Sequence, residues 1–185
     1  MNFNKHLELV GQHAFLGASN YYWLNYSEDD LKQSYINSHA KQLGTELHEL
    51  AHMAIDHGVK LQGKGTLAMY VNDAISYRLR PEQPLYYSRN CFGTADAISF
   101  NEKKKFLRIH DLKTGVTKAH MEQLEIYAAL FCLEYHVQPE DISMELRIYQ
   151  DNKILMHVPP KETIRSIMQK IIQYDKVIEK MNVEG

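Results

Sequence analysis

Cysteine is scarce in this chain: there are two in 185 residues, Cys91 and Cys132, far apart. That count excludes a four-cysteine zinc or iron–sulfur cluster, and it suits a reducing compartment in which thiols stay free. Long apolar runs are missing as well. Nothing approaches the roughly 20 consecutive apolar residues that a membrane helix needs, and no secretory signal opens the chain, so a cytoplasmic protein with no membrane partner is expected. Nor is there an excess of basic charge, since 21 Lys and Arg against 23 Asp and Glu leave a formal net charge of -2. A protein that coats nucleic acid by bulk electrostatics is thereby excluded. Any DNA contact must come from local patches, metal ions or a partner. No internal repeat, low-complexity tract, long linker or helicase motif is present.

What is present suits one domain over residues 1–185, long enough to bury a core without staples. Residues 1–42 form an aromatic and polar N-terminal segment expected to pack on that core. It reads "NYYWLNY" and then "SEDDLKQSY", where Ser27 and Asp30 have the spacing of a helix start. From Leu43 to about His57, Leu43, Leu47, Leu50, Ala51 and Ala54 keep helical spacing, and Gly58 is a natural stop. A second helix is expected over Leu67 to Leu79, ended by Pro81.

Strand signals begin near Leu85, and two strands flank the polar stretch "NEKKK". Asp96 and Asp111 share a face of that hairpin only if cross-strand partners sum to an odd number. Pairing Asn101 with Phe106 does this, leaves Glu102 to Lys105 as the loop and sets Asp96 opposite Asp111. After Gly115 a helix is expected to about Tyr135, with Met121, Leu124, Ala128, Phe131 and Tyr135 on one stripe. Met144–Tyr149 and Ile154–Val158 read as a hairpin around "QDNK". A final amphipathic helix follows Pro159 and Pro160, marked by Ile164, Ile167, Met168, Ile171 and Ile178. The order is that of a mixed α/β (α+β) domain, with helices covering a small mixed sheet.

The stretch "RIHDLKTG", Arg108 to Gly115, poses the central question. Side chains alternate along a strand, so Leu107 and Ile109 would face the core while Asp111 and Lys113 emerge on that same side near the strand's end. Such a pair is either a surface salt bridge or a carboxylate and an ammonium that hold a metal ion and a water beside it.

Two motifs compete to explain it. Residues 48–52 read "HELAH", the H-E-x-x-H pattern of zinc metallopeptidases. There two His one helical turn apart, His48 and His52, ligate zinc and Glu49 activates the bound water. "GTADAIS" has the downstream Gly-Thr-x-Asp of one such group, but Ser99 and Phe100 stand where Tyr-Gly would continue it. The other common extension needs Gly at position 55, where Ile55 stands. Short helical motifs of this kind recur by chance in a chain with ten His.

The second match spreads from His48 to Tyr127. Gly44-x-x-x-His48 lies on a helix, "FGTADAISF" puts Asp96 on a strand, "HDLKTG" puts Asp111 and Lys113 on the next, and "QLEIY" puts Gln123 and Tyr127 on the following helix. This set resembles the RecB-like, phage-associated exonuclease branch of the PD-(D/E)xK nuclease superfamily. "HAFLGASNYYWLNY" is also similar to the Ser-x-Ser…Trp opening of phage relatives, with Tyr26 where many carry Cys. The resemblance implies a restriction-endonuclease-like core and a metal-dependent deoxyribonuclease acting on linear DNA in recombination, repair or end processing. The setting would be a bacterial cytoplasm, or the host cytoplasm for a phage protein.

It also implies roles. Asp96 and Asp111 would be metal ligands, with the backbone carbonyl of Leu112 as a further oxygen and His48 completing the shell. Such ligands suit Mg²⁺ or Mn²⁺, and the imidazole tilts preference toward Mn²⁺. The metal lowers the pKa of bound water and neutralises phosphate charge. Lys113 would position the water or stabilise developing charge, while Gln123 and Tyr127 orient substrate or support Lys113. Assembly into a homo-oligomer, or with a recombination partner protein, stays open. So does the alternative of a non-catalytic nucleic-acid-binding module, although binding alone does not need these catalytic side chains. Elsewhere, "EKKK" reads as a solvated loop and Tyr21 to Tyr26 as packing of the N-terminal segment. Lys161, Arg165 and Lys170 form a basic stripe diluted by Glu162 and Asp175.

Overall fold

A computed structural model describes residues 7, 11, 13–115 and 117–184. The chain divides into two compact units, Met1–Thr45 and Glu46–Gly185. In the first, a short 3-10 turn at Tyr21–Asn25 precedes the start of helix α1, Glu28–Asp56. Ser27 and Asp30 form a reciprocal cap. The Ser27 hydroxyl accepts from the Asp30 N–H at 3.2 Å, and the Asp30 carboxylate accepts from the Ser27 N–H at 3.1 Å. The start expected at Ser27 and the helix expected from Leu43 are therefore one element, because nothing from 28 to 42 breaks it. Gly44 is the helix's one glycine, at a cost of about 1 kcal/mol relative to alanine.

The second unit holds the last residues of α1 and then α2 (Thr66–Ser76), β1 (Arg80–Ser88), β2 (Cys91–Asn101), β3 (Phe106–Leu112), α3 (Glu122–Glu134), β4 (Ser143–Gln150), β5 (Lys153–His157) and α4 (Lys161–Glu184). The five strands form one sheet in the order β1-β2-β3-β4-β5. β1, β2 and β3 are antiparallel neighbours, β3 and β4 run parallel across the α3 crossover, and β5 returns antiparallel. The mixed α/β class is as expected.

Both faces of the sheet are covered. Leu107, Ile109 and Leu146 pack against Leu124 and Ala128 of α3 and Ile164 of α4. On the other face, Leu112 and Tyr149 pack against Ala51 and Ala54 of α1 and Val71 and Ala74 of α2. Each such aliphatic side chain contributes about 1.5–3 kcal/mol on burial. Coverage on both sides explains why β3 reads as a near-continuous buried run rather than a clean alternation.

The register of the central hairpin is the expected one. Asn101 pairs with Phe106, and the ladder runs to Ala97 opposite His110. It stops one pair short of Asp96 and Asp111, because the Asp96 carboxylate itself accepts the Leu112 N–H at 2.9 Å.

Three boundaries differ from expectation. α3 begins at Glu122, not just after Gly115. The intervening turn is held by Gln150, whose amide donates to the Gly115 and Thr117 carbonyls at 2.7 and 2.8 Å. β1 begins at Arg80 and takes in Pro81 and Pro84, which an edge strand tolerates because its outward N–H groups need no partner. α2 closes at Ser76, three residues before Leu79, and Leu79 folds back to donate to the Ala74 carbonyl at 2.8 Å.

Candidate active site

The end of β3 delivers Asp111 and Lys113 to the α3 side of the sheet, as alternation requires. Asp111 is 2% exposed at its side chain, and the Lys113 ammonium lies 3.0 Å from its Oδ2. The same ammonium donates to Asp111 Oδ1 at 3.1 Å and to the Gln123 carbonyl oxygen at 2.9 Å. Gln123 then donates from its amide nitrogen to the Tyr127 hydroxyl at 3.2 Å. Residues four apart on a helix share a face, so α3 presents both to the strand end. The four form one chain: carboxylate, ammonium, amide, phenol.

Asp96 stands beside this chain, 3.6 Å from the His48 Nδ1 of α1. Glu82 joins it from β1. Ligand atoms of His48, Glu82 and Asp96 all lie within 4.8 Å of one another. Sequence reasoning missed Glu82. Its neighbours Pro81 and Gln83 pair with Ala97 and Ala95, which brackets it opposite Asp96. Its own backbone leaves the strand conformation, with φ of 47°, a strain on the order of 1–3 kcal/mol held by the surrounding pairing. The available signal was an acidic residue between two prolines at a strand edge, but only the β1–β2 register says what it faces.

The electrostatics follow from gathering a buried carboxyl, a half-buried one and an exposed one. Burial, and then the charge of Asp96, push the Asp111 carboxyl up to about 6, against the opposing pull of Lys113 and His48. Burial also raises Asp96, although the Leu112 N–H, His48 and Lys113 favour its charged form. Glu82 is raised by burial and by Asp96, with His48 and His52 opposing. Tyr127 is raised mainly by burial, so its hydroxyl keeps its proton. A cluster of acids lifted in this way is short of positive charge.

Two observations bear on whether a cation fits. Asp111 Oδ2 is buried with no hydrogen bond, its approach to Lys113 being an ion-pair contact. The donor set beside it is one imidazole and two carboxylates, a set that suits Mn²⁺ or Mg²⁺. The residues present fit such an ion.

Of the expected site residues, the structure gathers His48 and Asp96 into one group with Glu82, and Asp111, Lys113, Gln123 and Tyr127 into the adjoining chain. Leu112 contributes its N–H, donated to Asp96, while its side chain fills the core beneath α1 and α2. Both histidines of "HELAH" lie on α1, one turn apart, and among the described residues the metal-capable group takes His48 with Glu82 and Asp96. Glu49 is exposed.

Gly93 has a specific task. A Cβ at that position would meet Tyr127 Cε1 at 2.9 Å, so only glycine lets the phenol lie against β2.

The fold and the cluster define a mixed α/β protein in which three carboxylates and a lysine from the sheet strands and their ends meet an imidazole from α1. No protein-family model matches the chain, and neither the curated proteins nor the solved structures searched contain a match.

Proposed function

We propose that the chain is a metal-dependent deoxyribonuclease of the RecB-like exonuclease type, hydrolysing phosphodiester bonds of linear DNA in recombination, repair or end processing. The observation that carries this reading is the meeting at Asp96 of two groups that phosphodiester hydrolysis needs together. On one side are His48 and Glu82, and on the other are Asp111 with its lysine. The order of antiparallel meander, crossover helix and parallel strand agrees with a restriction-endonuclease-like core.

A divalent cation held by His48, Glu82 and Asp96, with Asp111 beside them, would supply charge neutralisation for the phosphate and a more acidic water. The remaining work falls to the chain's own groups. Asp111 and Gln123 fix the Lys113 ammonium from two directions, so its third N–H is left for an attacking water or a phosphoryl oxygen. Tyr127 accepts from Gln123 and keeps its own proton to donate to the substrate. Gln123 thus couples the orientation of the lysine to that of the phenol.

The test compares wild type with Lys113→Ala on linear duplex, linear single-stranded and circular DNA, in Mg²⁺, Mn²⁺ or EDTA. Wild type should degrade linear DNA only with metal, and the variant should be slower by at least about a hundredfold. Sparing of circles would mark an exonuclease. Wild type that cleaves nothing in either metal would count against the proposal.

A further inference from the structure

A hollow of about 750 Å³ opens at the other end of the β1–β2–β3 meander, where β1 begins, β2 ends and α3 finishes. Its wall is aromatic: Phe100 lies 5.0 Å from Phe131, and Phe131 lies 4.9 Å from Tyr135, centre to centre. Tyr135 is 50% exposed, which leaves part of its side chain for a ligand. Arg78, Arg80 and Lys105 also line the hollow, with Glu102 as its one carboxylate.

These cations differ from the arginines that the fold uses to pair acids. Arg108, Arg147 and Arg165 are each paired with a carboxylate. Among the described residues, no hydrogen bond or ion pair holds the side chain of Arg78, Arg80 or Lys105. Two of the three sit on left-handed backbone, Arg78 with φ of 57° and Lys105 with φ of 49°. Like charges gathered without partners repel, and here a protein of net charge -2 gathers them around an apolar wall. Cations answer phosphates, and a part-exposed aromatic ring answers a base. In a duplex the base faces cover one another, so only an unpaired base can stack on Tyr135.

We propose that this hollow holds an unpaired nucleotide of the DNA strand whose neighbouring phosphate lies at the carboxylate cluster. The proposal rests on the nuclease reading. β1 links the two places directly, since Arg80 precedes Glu82 by two residues, about 7 Å along a strand. At about 3.4 Å per stacked nucleotide, a strand with one phosphate at Glu82 and Asp96 reaches the arginine rim within a few steps. The hollow then sets a preference for single-stranded or frayed ends.

The experiment measures binding of a fluorescein-labelled oligothymidylate by anisotropy in EDTA, which prevents cleavage. A matched duplex and thymidine monophosphate serve as competitors. The variants are Arg78→Ala/Arg80→Ala and Tyr135→Ala, with circular dichroism as a check of folding. Wild type should prefer the single strand to the duplex, and each variant should weaken its binding about tenfold. The arginine variant should also flatten the salt dependence, while Tyr135→Leu, which keeps bulk without the ring, should behave as Tyr135→Ala. Hydrolysis of bis(p-nitrophenyl) phosphate in Mn²⁺ should be unchanged in all of them.

Oligothymidylate binding that is absent in wild type, or equal in wild type and variants, overturns the proposal. So does a duplex or a mononucleotide that competes as well as the single strand. Failure of the nuclease reading looks different: wild type would not hydrolyse the small phosphodiester at all.

Discussion

Asp111 is a carboxyl caught between two demands, burial and a neighbouring Asp96 that favour its proton, and a lysine that favours its charge. The net effect raises it to about 6. Unfolded, the same group titrates near 3.9. Between those values the folded chain keeps a proton that the unfolded chain has lost. The stabilisation is therefore complete below about 4 and disappears as pH rises through about 6. Without metal at neutral pH, Asp111 is a burden on the fold. Urea unfolding in EDTA should find Asp111→Asn more stable than wild type at pH 7, by on the order of 1–2 kcal/mol. The gap should close as pH falls toward 4. A variant no more stable than wild type at pH 7 would show that Lys113 alone neutralises the site. His110, the next residue, titrates oppositely: burial and the charges of Arg147 and Arg108 press it down to about 3, so it stays neutral.

Among the elements, α3 and β2 meet through one contact that matters for chemistry. Tyr127 lies over Gly93, and through it Gln123 and Lys113 are aligned. Gly93→Ala would force the ring to move, because the new Cβ would sit 2.9 Å from Cε1. Overpacking of this kind costs about 1–3 kcal/mol. A thermal melt should show a lower midpoint, and the cleavage rate should fall with it. An unchanged rate in a destabilised variant would mean that the phenol takes no part in the reaction. Much of this element was legible beforehand. The spacing of Gln123 and Tyr127 puts them on one helix face whatever the exact helix start, which is why the late start of α3 at Glu122 left their pairing intact. β1 was less legible, because its prolines argue against a strand until the edge position excuses them.

At the scale of the whole second unit, stability and metal binding should be linked. An ion that binds only the folded site stabilises by about 2.7 kcal/mol at a hundred times its dissociation constant, a rise of roughly 5–10 °C for a unit of this size. Calorimetry with and without Mn²⁺ should show that rise in wild type and a clearly smaller one in Glu82→Gln and Asp96→Asn. Equal rises in all three would remove Glu82 and Asp96 from the ligand set. The face of the sheet under α2 carries a polar network in which Arg147 and Tyr149 both donate to Asp73, at 3.0 and 2.7 Å, and His110 Nδ1 lies 3.2 Å from the Tyr149 hydroxyl. Hydrogen-bonded networks at low dielectric fix strands in place, and here they join α2, β3 and β4 directly behind Asp111.

Local pattern alone carried the order of the elements, the Asn101–Phe106 register, the shared face of Asp111 and Lys113 and the shared face of Gln123 and Tyr127. Each depends only on the period of a strand or helix and on a short polar loop, and those periods are written in neighbouring residues. Glu82 was not legible, nor were the closing of the 113–121 turn by Gln150 or the gathering of free arginines with Tyr135. Those depend on how β1 aligns with β2 and how α3 crosses the sheet. Alignment of that kind is set by packing between residues distant in the chain, so only the tertiary structure could decide it.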